Sequence, residues 1–481
     1  MLRLPGLLPV GVLLLPLACF LVLSINVHVS PDLYWYDQQR IGQVAVLVVT
    51  ALSCMACIVL GRGAVSFGRP SPLILMAVAI VFMLGALSAA RSEHVLDAAL
   101  EWSRFLLMGL LAWSVGNCAR TFPGTTSLLL LGALATACLW FLGARLGPYM
   151  AILVLDLPLS STAFLAGFDN PRFFGQVQTM TLPLLMLPLV LPGLSRRIRI
   201  AAAAFLVAWW MLAWLSGTRG TLYALLATAA AASIVFGGRG RAYALASAGF
   251  AAAGAVCYGF FFAVLPGWLG TPVDGTGFAR SAFGLSSREE LWRLSVEYLY
   301  EHPLLGIGPM QFAAAASPIG AHPHSIPLQL VVEWGLPAAI IAMAGMALAV
   351  VAHAWQLDRQ LRAEGAGANV ELDALLLIAI TAALVQGLVD GVLVVPYTET
   401  LLGALVGLAW GRAHRGRECL PVAVGGRVIV TLVLCLSASV LAVGTWTQAE
   451  QLAERISRQE GQSGVLLPRF WSAGWIDTHA H

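Results

Sequence analysis

The stretch IGQVAVLVVTALSCMACIVL, residues Ile41 to Leu60, carries no charged side chain. As a helix, with about 1.5 Å of rise per residue, it spans roughly 30 Å, the thickness of a bilayer's hydrocarbon core. Lipid offers the backbone no hydrogen-bond partners, so a spanning segment must be a helix or part of a closed barrel. The apolar residues here run on without a period of two, which selects the helix. Cys54 and Cys57 form a C-x-x-C inside this run. Small buried hydrophobes are the ordinary reading there, with metal or redox use as the alternative.

Runs of the same kind recur throughout the 481 residues. The chain is 59% hydrophobic and 11% charged, whereas a soluble domain carries about a quarter charged residues. The expected fold is all-α: a polytopic transmembrane helical bundle of thirteen spans, or twelve if the short run Glu399–Gly411 does not cross. The first run, Leu7–Val27, reads as a membrane helix that stays, not as a cleaved signal peptide. Later runs include Ser103–Gly116, Val177–Leu194, Ile326–Val351 and Ala374–Val395, and the last is Val428–Trp446.

Every basic residue is arginine, and the net charge is only +3. Placement matters more, because short cytoplasmic loops retain positive charge. One alternating set of connections holds Arg62 and Arg69, Arg120, SRRIR at Ser195–Arg199, GGRGR at Gly237–Arg241, Arg359 with Arg362, and GRAHRGR at Gly411–Arg417. The other set, with SPDLYWYDQQR at Ser30–Arg40 and RSEHVLDAALEWSR at Arg91–Arg104, is richer in acid and aromatics. The first set is expected on the cytoplasmic side and the second outside, which in a bacterium is the periplasm.

Two outward connections are long, Ala144 to Gln176 and Pro266 to Ser325, and loops of such length are usually functional. Within the second, SSREELWRLSVEYLYEHP (Ser286–Pro303) reads as a helix. Ser286 with Glu289, or Ser287 with Glu290, makes a capping box, and Pro303 stops the helix. Leu291, Trp292, Ser295, Tyr298 and Leu299 share one face, so the helix is expected to lie on the bundle or the membrane surface. After Trp446, QAEQLAERISRQEG reads as an amphipathic helix whose side depends on the span count.

Charge and imidazole gather on the outward face. Arg288 stands in the first turn of the loop helix, where free N–H groups attract anions. A guanidinium there suits phosphate, whose oxygens it can bond in pairs, and a solvated arginine is the plainer alternative. Arg172 in FDNPRFFGQVQT and Arg219 in LSGTRGTLYAL lie at the outward rim, where snorkelling to the headgroups competes with a diphosphate site. His322 and His324 in GAHPHSIPLQLVVEWG precede the next apolar run. An imidazole at a wet rim titrates near neutrality and can take a proton from a hydroxyl. A metal site needs three or four ligands, and no neighbouring Cys, His or Asp run supplies them. Glu333 is placed to pair with one of these arginines, to orient a histidine, or to pack as a polar residue facing the bundle.

LSGTRG, then SSREELWRLSVEYLYEHPLLGIGPMQF, then HPHSIPLQLVVEWGLPAA together resemble the bacterial O-antigen ligase/polymerase family, over roughly Val177 to Gly407. The family often has Asn after the second histidine, where this chain has Ser325. The resemblance, closest to the lipopolysaccharide O-antigen ligase, implies a glycosyltransferase of the inner membrane with its active site facing the periplasm. It implies an undecaprenyl diphosphate-linked O-antigen donor and a lipid A-core acceptor, with no metal, nucleotide or other cofactor and no nucleic-acid partner. It assigns His324, or else His322, as general base, and Arg219 and Arg288, with Arg172, as the diphosphate clamp. Glu333 and Trp292 are supporting residues. Direct attack inverts the anomeric centre.

The expected organisation is a set of N-terminal membrane helices (1–176), core helices (177–265), the periplasmic loop (266–325), C-terminal helices (326–446) and the tail (447–481). An O-antigen polymerase or a protein-glycan ligase would share these motifs. A lipid-linked glycan transporter or flippase is the alternative of another class. Transporters tend to carry mid-membrane charge and repeated halves; here no internal repeat is evident, and Asp390 falls near the outward end of its run.

Overall fold

The computed structural model describes residues 8–60, 71–160, 164–273, 288–315, 317–364, 367–415 and 424–476. Ser286, Ser287, Arg62, Arg69 and Arg417 lie outside them. Among the described residues the fold is helical throughout, apart from one bridge between Leu159 and Val273.

Each of the thirteen expected runs is helical over most of its described length. They form α1 (Leu8–Leu23), α2 (Trp35–Leu60), α3 (Pro72–Ala90), α4 (Val95–Thr121), α5 (Pro123–Gly143), extended by α6 (Leu146–Leu155), and α7 (Pro171–Leu184), extended by α8 (Leu187–Val190). Then come α9 (Arg196–Ser216), α10 (Arg219–Val235) and α11 (Gly238–Gly259), which continues through a π turn into α12 (Leu265–Leu269). The loop helix is α13 (Arg288–Glu301), followed by α14 (Ile326–Trp334), α15 (Leu336–Glu364), α16 (Ala368–Gly387), α17 (Pro396–Ala413), α18 (Val424–Glu450) and α19 (Leu452–Ser463). Among the described residues, nine helical segments are long and apolar enough to cross a membrane. The short run Glu399–Gly411 belongs to α17, which is buried along most of its length and packs chiefly on α4.

Glycine sets that contact. A Cβ at Gly407 would lie 2.2 Å from the Ala112 carbonyl oxygen, and one at Gly411 would lie 2.1 Å from that of Gly116. Small residues let helix backbones approach this closely where lipid supplies no hydrophobic drive between helices. The same pair carries buried charge. Glu399 of α17 pairs with Arg40 of α2 at 2.6 Å and with Arg104 of α4, which also holds Glu101 at 2.7 Å. Sequence placed Arg40 and Arg104 in outward connections; both are instead fully buried. Each finds carboxylate, and Arg40 adds carbonyl partners, so charge is accommodated inside an apolar bundle.

Two expected spans are broken. Ile326–Val351 divides at Gly335, whose φ is +82° and whose Cβ, if present, would meet the Leu304 carbonyl at 2.2 Å. The break lets the loop backbone pair with α14: Ile307 N–H donates to Val332 O at 2.8 Å, and Leu336 N–H donates to Pro303 O at 2.9 Å. Ala374–Val395 ends as helix at Gly387, leaving Asp390 in an irregular connection.

The described parts of the connections, 24–34, 91–94, 156–160, 164–170, 217–218, 270–273, 302–315, 317–325 and 388–395, gather at one end of the bundle. His94 N–H bonds Gln311, and Tyr36 N–H bonds Asp169 at 2.7 Å. The tail lies at this end too. Tyr34 bonds Glu460, Trp475 bonds Ser317 O, and Ile476 N–H bonds Ala313 O. The tail therefore shares the long loop's side of the bundle. Helix α13 lies on α14, burying Leu291 and Ser295 and half-burying Trp292, Tyr298 and Leu299, the face expected from spacing.

Candidate functional site

Three helix ends meet at the loop end of the bundle. Helix α7 starts at Pro171, capped by the Asn170 side chain, which accepts from Arg172 N–H at 2.9 Å. Helix α9 ends at Gly217 (φ +60°), and α10 starts at Arg219 two residues later. Thr221 on α10 donates to Gly175 O of α7 at 2.7 Å, stapling the two helix starts together. Arg172 and Arg219 thus stand at neighbouring helix N-termini, where backbone N–H groups add positive potential. Gly220, next to Arg219, faces the connection after α16: a Cβ there would lie 4.0 Å from Asp390 Oδ2.

Asp390 is held from behind. Gln386 accepts from Thr179 at 2.5 Å and donates to Asp390 Oδ2 at 3.2 Å, and Gly391 N–H donates to Asp390 Oδ1 at 2.9 Å. Facing it is His324, whose Nδ1 lies 4.0 Å from Asp390 Oδ1 and makes no hydrogen bond. His324 adopts a left-handed backbone (φ +52°), uncommon for a side-chain-bearing residue and often found at functional sites. Its own N–H donates to His322 Nδ1 at 3.1 Å, and the two rings stand 4.0 Å apart. His322 is buried, while the His324 side chain keeps 22% of its surface open. Trp292 of α13 donates to the Pro323 carbonyl between them at 3.1 Å, so the loop helix anchors the histidine turn.

The electrostatics follow from this crowding. Burial holds both imidazoles below the ordinary histidine range. For His322, the positive fields of His324, Arg469 and Arg288 add to that effect. For His324, the Asp390 carboxylate pulls the other way, against Arg288 and Arg172. Both rings are therefore neutral near pH 7, and the acceptor nitrogen of His322 is already taken by the His324 N–H.

His322, His324, Arg288 and Arg172 thus share one neighbourhood with Asp390, and Arg219 opens the helix that packs beside it. Glu333 does not join them. It sits buried at the far end of α14 and pairs with Arg469 from the tail at 2.5 Å. It is an inward-facing polar residue paired with a tail arginine. Asp390 gave a sequence signal, an acid before glycine in an apolar run, but its facing histidine lies far along the chain. Arg469 gave none. A separate cleft of about 630 Å³ is lined by Arg91, Glu93, Tyr298, Glu301 and His302 among others.

Residues 182–343 match the family model described as O-antigen ligase. That segment contains Arg219, Arg288, Trp292, His322, His324 and Glu333. The kinship with the O-antigen ligase/polymerase family read from the motifs therefore holds across the middle of the chain, and with it an enzyme of the glycan-ligating and polymerising kind. No curated protein matches the chain.

Proposed function

We propose that the chain is an O-antigen ligase of a bacterial inner membrane. It transfers glycan from undecaprenyl diphosphate to the lipid A-core at the periplasmic face. The observation that carries this reading is the setting of His324: a neutral, partly open imidazole with a carboxylate on one side and guanidinium charge around it, beside two helix N-termini.

The chemistry follows from the donor set. A neutral imidazole has one N–H and one acceptor nitrogen. His322 Nδ1 already accepts the His324 N–H, so its proton sits on Nε2 and its lone pair is engaged. His324 is less committed. With Nδ1–H turned toward Asp390, its Nε2 is free to take the proton of the acceptor hydroxyl. That oxygen then attacks the anomeric carbon. The bond from this carbon to the diphosphate oxygen breaks, and its electron pair leaves with undecaprenyl diphosphate. Asp390 stabilises the imidazolium that forms. Arg288, Arg172 and Arg219 stabilise the charge gathering on the diphosphate, the kind of preorganised electrostatic help that favours a transition state. Attack opposite the leaving group inverts the centre.

A reconstituted reaction with purified donor lipid and lipid A-core, without added metal or nucleotide, tests the proposal. We expect transfer by the parent chain and a loss of roughly 10²–10⁴-fold in a folded His324→Ala variant, the range of a general base. Parental rates in that variant would remove the mechanism. Deleting the gene separates ligase from polymerase. Loss of a ligase leaves lipid-linked polymer beside unmodified core; loss of a polymerase leaves core bearing a single repeat.

A further inference from the structure

The tail is built into the bundle. Phe470 O accepts from Arg40 at 2.8 Å, and Ser472 donates to Asp37 through its backbone at 2.7 Å and its hydroxyl at 2.6 Å. Immediately before them Arg469 is buried, its own carbonyl accepting from Tyr36 and Arg40. Its guanidinium faces α14. It pairs with Glu333 at 2.5 Å, and the Gln329 amide oxygen, in the orientation that satisfies both groups, accepts from it at 2.5 and 3.0 Å. Gln329 and Glu333 are one turn apart on the same helix face. The guanidinium also reaches Glu101 of α4 at 3.0 Å.

That helix carries the histidines at its other end. Ser325 stands at the N-cap position of α14, and His324 immediately precedes it. With about 1.5 Å of rise per residue, Glu333 lies roughly 12 Å from the histidine turn. Glu333 has no other cation among the described residues, and its carbonyl also anchors the loop through Gly308 N–H and Ser88. At its far end, therefore, α14 is gripped by a guanidinium from the tail as well as by backbone bonds to the loop.

We infer that Arg469 is a positioning residue: its fork grips Gln329 and Glu333 and holds α14 so that His324 faces Asp390. The inference rests on the proposed catalytic reading of that histidine. Removing one charge alone would leave its partner buried and unpaired, which can unfold a protein. The test therefore uses the double variant Arg469→Met/Glu333→Gln in the full chain, purified in detergent. The readouts are melting temperature, hydrogen exchange, and kcat and KM for the lipid-linked donor.

We expect a folded protein with faster exchange in residues 317–326 and unchanged exchange in α9. We expect kcat to fall about 10²-fold, the cost of an ångström-scale misplacement, with KM changed less than about threefold. Parental kcat in the folded double variant would overturn the inference. So would unaltered exchange at 317–326, or exchange raised equally in α9, which would make Arg469 a support of the whole fold. Exchange does not depend on what the site catalyses. A parent chain that transfers no glycan, while the variant still loosens 317–326, would refute the functional reading and leave the clamp standing.

Discussion

Gly391→Ala adds one methyl group to the site and removes no functional atom. A Cβ built at Gly391 falls 2.4 Å from His322 Cε1, 3.0 Å from its Nε2 and 3.3 Å from its Nδ1. Carbon atoms settle at about 3.5–4.0 Å, so the imidazole or the 388–395 backbone must yield by at least about 1 Å. The ring is buried, and its Nδ1 holds the His324 N–H, so its displacement carries His324 away from Asp390. An ångström of misplacement costs on the order of 10²-fold in rate, about 2.7 kcal/mol of barrier. Overpacking itself costs roughly 1–3 kcal/mol of stability. The assay is glycan transfer by the detergent-purified variant, with a melting curve to establish folding. A folded Gly391→Ala protein with the parental rate would refute the claim that the two histidines act as one packed unit against the Asp390 connection.

Three more outcomes follow from the contacts described above. Because burial holds His324 below the ordinary histidine range, activity of the parent should stay level as pH falls to about 6.5 and decline only below it. Asp390 raises that pKa, so Asp390→Asn should move the acid limb of kcat/KM to still lower pH while reducing the rate; an upward move would contradict the pairing. Glu399→Gln should destabilise the bundle by roughly 3–5 kcal/mol, the cost of breaking a buried pair, because Arg40 has no other carboxylate partner among the described residues. Its measure is the melting temperature in detergent, and an unchanged value would mean that the Arg40–Glu399 contact contributes nothing to stability.

The spans were legible because lipid leaves the backbone so little choice. Twenty apolar residues between arginine-bearing turns can do almost nothing but form a helix. The breaks were not legible, because they answer to contacts distant in sequence. Gly335 is broken by the approach of Leu304, and α16 stops where a Cβ at Gly387 would strike Ile326 at 2.3 Å. The outward arginines divided into two kinds that sequence alone could not separate. Arg172, Arg219 and Arg288 stand half-buried at helix starts, whereas Arg40 and Arg104 turn inward to Glu399. Both kinds sit beside apolar runs, and only the position of a carboxylate hundreds of residues away tells them apart. Arg469 lies past the last span, where composition suggests an amphipathic tail and nothing suggests an anchor for α14.

The Glu101–Arg104 pair has a consequence for how the chain is made. Glu399 is synthesised 295 residues after Arg104. At about 5–20 residues per second, α4 must wait roughly 15–60 s for that partner. An isolated charge at the centre of a membrane helix opposes insertion by about 2.5–3.5 kcal/mol. Glu101, one turn away in the same helix, neutralises Arg104 from the moment both leave the ribosome. The helix can enter the bilayer with that charge already matched, before α17 brings the second carboxylate.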